Sequence, residues 1–177
     1  MHRHERLWRL EWPVFEDAAA ELARRLAESE PETIVAVARG GLPLGERLAS
    51  SLDLPLVAVT ARGNQTDAIE SPPAAAIALD ARPLEACREF SRIAVCDDIA
   101  GSGATLRALR NAIARHSGHS SKVVTATLCR NEGADPSPDI SLWAVTDWVL
   151  FPWEGRSESW DAAEPLALPR TFLETAR

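Results

Sequence analysis

"RIAVCDDIAGSGATLRAL", residues 92–109, decides how this chain is read. Four apolar residues, Ile93 to Cys96, lead into two adjacent carboxylates, Asp97 and Asp98. A small turn with Gly101, Ser102 and Gly103 follows, and then Leu106, Leu109 and Ile113 fall at helical spacing. A short apolar run without alternation is the mark of a strand buried on both faces. The segment therefore reads as strand, turn, helix, with the helix over residues 103–116 and Arg107, Arg110 and Arg115 turned away from its apolar stripe. Two like charges at a strand end repel each other, so something cationic or rich in hydroxyls must answer them.

The flanking sequence repeats the pattern. "TIVAVA", residues 33–38, and "PLVAVTA", residues 55–61, read as strands, and Leu44, Leu48 and Leu52 mark a helix between them. Before them, Val14, Ala18, Leu22 and Leu26 form a helical stripe over residues 14–28, opened by Pro13. After them come the strands "KVVTATLC" and one or two within "SLWAVTDWVLF". Residues 62–83 are polar and proline-bearing apart from "AAAIAL", which reads as a long loop with one short strand, the form of a functional lid. Strands alternating with helices imply an α/β fold with a mostly parallel sheet flanked by helices. The expectation is a single domain over 1–177, with its core at about 30–155 and a tail-like segment, 155–177, given no role.

Composition narrows the function. The 177 residues are 46% hydrophobic and 25% charged, an ordinary globular balance, with a net charge of -7 that disfavours a phosphate-backbone partner. Neither nucleic acid nor membrane is an expected partner: no apolar run is long enough to span a bilayer, and the first residues lack the apolar stretch of a signal peptide. Cys87, Cys96 and Cys129 have no metal-like spacing and read as buried thiols of a cytoplasmic protein.

In a parallel sheet, ligands bind beyond the carboxyl ends of the strands. Three segments fall there: Ala38-Arg39-Gly40-Gly41, Asp97 to Thr105, and Arg130-Asn131. The turn 101–105 offers free backbone N–H groups at a helix start, an anion cradle. Its glycines permit close approach, and Ser102 and Thr105 add hydroxyls. Asp97 and Asp98 repel phosphate but suit ribose hydroxyls or a divalent cation. Together they describe a sugar phosphate. A P-loop is excluded because no lysine stands in the turn, and a dinucleotide fingerprint would need glycine at Leu106.

"IAVCDDIAGSGATL" resembles the phosphoribosyl-pyrophosphate (PRPP) binding motif of type I phosphoribosyltransferases: four apolar residues, two acids and a small Ser/Thr-Gly turn. "VAVARGGLPLGERLA", residues 35–49, is similar to the family's pyrophosphate loop, where the peptide before the arginine is often cis. "DWVLFPWE", residues 147–154, resembles the base-recognition end of the xanthine-guanine and hypoxanthine branch. The resemblance implies Mg²⁺-dependent transfer of the 5-phosphoribosyl group from PRPP to a purine-like base, releasing pyrophosphate and a nucleotide, in a purine-salvage homodimer. It places Asp97, Asp98 and Arg39 in catalysis. It places Arg39, Gly40, Gly41, Arg62, Asp97, Asp98, Gly101, Ser102, Gly103, Ala104 and Thr105 around PRPP. Arg130, Trp148 and Val149 fall on the base, within a segment at about 128–155 that forms a small hood, and Asp97, Asp98 and Glu154 on the metal. Trp153 fits the core instead.

Two departures stand out. The 6-oxopurine enzymes usually carry an aspartate where Gly101 stands, as a manager of a proton on the base; adenine branches carry a small residue there. The family's lid often carries a tyrosine, and this chain has none; "GNQTDA" and Arg62 remain to close over the site. A nucleotide- or PRPP-sensing regulator, and a transferase for an unusual heterocycle, therefore stay open beside the purine reading.

Overall fold

The apolar runs assemble into one six-stranded sheet. In the computed structural model the described residues are 7–62, 77–117, 120–146, 148–155 and 158–168. "GNQTDA", expected as a lid, lies outside them, as do Gly118 and Asp147. In chain order the elements are β1 (Leu7–Arg9), α1 (Trp12–Ala27), β2 (Thr33–Ala38), α2 (Leu42–Leu52), β3 (Leu56–Arg62) and β4 (Ala78–Leu79). A 3-10 turn at Arg82–Cys87 leads to β5 (Arg92–Ala100), α3 (Ala104–His116), β6 (Lys122–Asn131), β7 (Ile140–Val145), β8 (Trp148–Leu150), α4 (Glu158–Ala162) and β9 (Glu164–Pro165). The main sheet runs β4-β3-β2-β5-β6-β7, parallel throughout except for the short β4.

The lack of alternation in β2 and β5 follows from helices on both faces. Ile34, Ala36, Ala94 and Cys96 face α1 and α2, where Phe15, Leu22, Leu26, Leu44 and Leu48 are buried. Val35, Val37, Ile93 and Val95 face the other way, onto Leu84 and the Leu106, Leu109 and Ile113 stripe of α3. Of the three α3 arginines expected to point away, Arg110 turns back. Its guanidinium bonds Asp139 and the Thr125 hydroxyl, tying α3 to β6.

A second, three-stranded sheet, β8-β1-β9, stands apart from the first. Both pairings of β1 are parallel, with Trp8 opposite Val149 and Glu164. The tail-like segment thus has a structural place. Trp160, Ala163 and Leu166 are buried, Arg9 donates to the carbonyls of Trp160 and Ala163, and Trp143 Nε1 donates to Ala167 O at 3.0 Å. No helix among the described residues is long and apolar enough to cross a membrane.

Candidate functional site

The sheet order contains a switch point. From β2 the chain moves one way to β3 and β4, then returns to lay β5 on the opposite side of β2. Open α/β sheets bind ligands in the crevice at the carboxyl ends of such a strand pair. Here β2 ends in Ala38-Arg39-Gly40-Gly41, and β5 carries Asp97 and Asp98 within its last turn of strand, which runs on to Ala100.

These two segments are in contact, and the contact explains the glycines. A Cβ built on Gly40 would lie 2.8 Å from Asp98 Cγ, and one on Gly41 would lie 2.8 Å from Asp97 Cα and 2.9 Å from Val37 O. A side chain at either position would push the loop off the acids. The Ala38-Arg39 peptide is cis. Gly41 N donates to Val37 O at 2.9 Å, so the chain turns sharply into α2, whose N-cap makes no side-chain bond. Arg39 is exposed, and no carboxylate among the described residues pairs with it. Arg62, ending β3, is exposed as well.

The acids answer to their surroundings. Burial pushes the Asp97 carboxyl well above the usual range, and the Asp98 charge adds to this. Asp98 is raised too, chiefly by burial, with a contribution from the Glu154 carboxylate. Asp97 Oδ1 accepts from Asp98 N at 3.0 Å, and Asp98 Oδ1 from Ile99 N at 2.7 Å. A site that resists two negative charges in this way favours a cation or hydroxyl donors beside them. Among the described residues no group of three His, Cys, Asp or Glu side chains is gathered into a metal cage. Glu154 is exposed, lies near enough to Asp98 to act on its charge, and accepts from Phe151 N at 2.9 Å. The donor chemistry of Asp97 and Asp98 still fits a hard divalent cation that takes its other oxygens from water and substrate phosphates.

The turn after the acids has one glycine fixed by geometry and one that is free. Gly103 sits at φ 81 as the N-cap of α3, and a Cβ there would meet Pro136 O and come within 2.7 Å of Asp135 C. The β6–β7 loop, bonded through Asp135 N to Ser102 O at 3.0 Å, covers the turn from above. Sequence reading missed this loop; the "DPSP" run signalled a turn but not where it would lie. Gly101 is exposed, and a Cβ on it would meet nothing within 4 Å. Ser102 Oγ accepts from Ala104 N at 3.3 Å, and Thr105 lies in the first turn of α3.

The residues expected on the base occupy two elements. Arg130 pairs in register with Ala100, next to Gly101, and makes no ion pair among the described residues. Trp148 opens β8 and is 42% exposed, while the Val149 side chain is buried. Leu150 O accepts from Leu10 N at 2.9 Å. Backbone groups alternate sides along a strand, so the Val149 N–H and C=O face the edge away from β1, where β8 ends its sheet. Trp153 packs as core, stacked on Phe151 with centroids 5.1 Å apart.

The sequence profile described as "Phosphoribosyl transferase domain" matches residues 10–160. Among solved structures, a purine phosphoribosyltransferase from Pyrococcus horikoshii Ot3 superposes with a TM-score of 0.69, at 23% identity over 85% of this chain and 95% of that one. The Helicobacter pylori xanthine-guanine-hypoxanthine phosphoribosyltransferase gives 0.68 at 22% identity over 88% and 99%. A hypothetical protein from Neisseria gonorrhoeae with bound ppGpp gives 0.71 at 17% identity over 99% and 100%. No curated protein sequence matches the chain. At these identities the structural likeness is one of fold; the profile match, spanning most of the chain and holding both the glycine loop and the acid pair, carries the assignment. The chain belongs to the type I phosphoribosyltransferase family, enzymes of pentosyl transfer.

Proposed function

We propose that this enzyme transfers the 5-phosphoribosyl group of PRPP to a ring nitrogen of a purine-like base. The observation that carries the reading is the packing of Gly40 and Gly41 on Asp98 and Asp97 at the switch point. It brings the bare backbone turn next to Arg39, which has no ion pair among the described residues, against the two carboxylates. In the reaction the C1–oxygen bond to pyrophosphate breaks, its electron pair leaves with pyrophosphate, and the base nitrogen supplies the pair for the new C1–N bond while its proton passes to water. Positive charge develops on the ribose ring at the midpoint. Asp97 and Asp98 hold the ribose hydroxyls and offset that charge. Arg39, beside the bare backbone of Gly40, receives the leaving pyrophosphate. The turn 101–105 receives the 5′-phosphate at the N-terminus of α3. Mg²⁺, when bound beside the acids, supplies neutralisation of the pyrophosphate charge.

On the acceptor side, Trp148 offers an exposed ring for stacking, the Val149 backbone an open hydrogen-bonding edge, and Arg130 a cationic fork. The Pyrococcus horikoshii and Helicobacter pylori proteins, both purine phosphoribosyltransferases, support a purine. The test is pyrophosphate release from PRPP and Mg²⁺ with guanine, xanthine, hypoxanthine, adenine and orotate in turn. Turnover on a purine supports the proposal; turnover on orotate alone, or on none of the five, rejects it.

A second reading has its own support. The Neisseria gonorrhoeae structure, whose fold spans 99% of this chain, holds ppGpp, a purine nucleotide with two diphosphates. The same arginine, turn and stacking ring suit such a ligand, so a regulatory nucleotide would compete with PRPP. Saturable ppGpp binding that PRPP displaces, without turnover on any base, would favour this reading over the first.

A further inference from the structure

Four polar side chains are fully or almost fully buried among the described residues: Thr33, Ser117, Thr125 and Thr127. Three have partners. Thr33 Oγ1 donates to Pro55 O at 3.1 Å, Ser117 Oγ to Ile113 O at 2.8 Å, and Thr125 Oγ1 to Asp139 Oδ2 at 2.8 Å. Thr127 Oγ1 has none, although Thr127 is 0% exposed. A buried hydroxyl without a partner is destabilising, and valine, of nearly the same shape, would remove the penalty. Stability alone therefore does not account for a threonine here.

Its register does. Thr127 lies directly opposite Asp97 on β5, and opposite Ser141 on β7. Residues in register on adjacent parallel strands point to the same face, within side-chain reach of one another. Asp97 Oδ1 accepts from Asp98 N at 3.0 Å, and the two carboxyls also bond each other, so Asp97 is tied to its neighbour on β5 but to no side chain of β6 among the described residues. We propose that Thr127 is a positioning residue for the acid pair: with PRPP in place, its hydroxyl donates to the second carboxylate oxygen of Asp97 and fixes the plane in which that carboxylate meets the sugar. The proposal rests on the PRPP reading of the site.

The experiment compares the parent chain with Thr127→Val and Thr127→Ser, reading thermal midpoint, KM for PRPP and kcat at fixed Mg²⁺. Thr127→Val is expected to melt at or above the parent temperature while KM for PRPP rises roughly tenfold, the size of one hydrogen bond to an ionised group. Thr127→Ser is expected to restore KM to within about twofold, since it returns the hydroxyl. A folded Thr127→Val with the parent's KM overturns the proposal and leaves the PRPP reading standing. So does a folded Thr127→Ser that fails to rescue. A parent chain that binds no PRPP overturns both.

Discussion

At the residue scale, the two glycines of the phosphate turn differ in kind. Gly103 is held at positive φ under the Asp135–Pro136 backbone, whereas Gly101 faces open space. Gly103→Ala should cost about 1–3 kcal/mol, because both its conformation and its neighbours oppose a Cβ. Gly101→Ala should stay within about 0.5 kcal/mol of the parent, as a free surface position does. Thermal unfolding of the two variants side by side checks this; equal losses would mean the turn is not built as described. The contrast bears on what the sequence could reveal. It placed an aspartate-sized gap at 101 but could not say whether backbone or function requires glycine there. The open space answers the first half: the fold admits a side chain at 101, so backbone geometry does not require glycine there. Thr127 was illegible for the opposite reason, since threonine in a strand is unremarkable until its hydroxyl is found without a partner.

At the scale of the element, α1 shows how a surface helix is trimmed by charge. Glu21 accepts from Arg24 Nε at 2.9 Å and Arg25 Nε at 2.7 Å, one turn along the same face. The Arg24 bond first, then Arg25, hold its carboxyl at about 2, below its ordinary 4.5. A depressed carboxylate stabilises the fold above its unfolded pKa and loses that contribution as pH falls through the folded one. Glu21→Gln should therefore lower stability at pH 7 by about 0.5–1 kcal/mol, the range for pairs whose arginines remain open to solvent, as Arg24 and Arg25 do here. The difference from the parent should shrink between pH 4.5 and pH 2. Denaturant titrations across that interval read it, and a gap that widens on acidification would contradict the pairing. The long elements were legible because they carry a period: β2 occupies Thr33–Ala38 as its β-branched run suggests, and α3 follows the Leu106, Leu109, Ile113 stripe. Strands of two or three residues carry no period, so β1 and β9 left no clear mark in the sequence, and β4 showed only as the end of the apolar run "AAAIAL".

At the scale of the whole molecule, the proposed donor site and all of the proposed acceptor site except Arg130 rest on different sheets. The large sheet holds the acids and the glycine loop; the small sheet holds β8, with Trp148 and Val149. The small sheet is secured from behind by residues 160–168, so Leu166, 7% exposed and packed in the main core, anchors it. Leu166→Ala should cost about 2–3 kcal/mol by opening a cavity. In the same variant, KM for the base should rise more than KM for PRPP. Steady-state kinetics with each substrate varied would show the split, and an equal rise in both would refute the division of labour. The arrangement also sets an order of events. During synthesis, β2, β3, β5 and β6 emerge in sequence and pair with near neighbours, whereas β1 appears early and must wait for residues 148–150 to find its partner. Closing so long a loop is slow and comes late in folding. On the proposed reading, a nascent chain therefore closes its glycine loop on the acid pair before Trp148 and Val149 reach the framework that holds them.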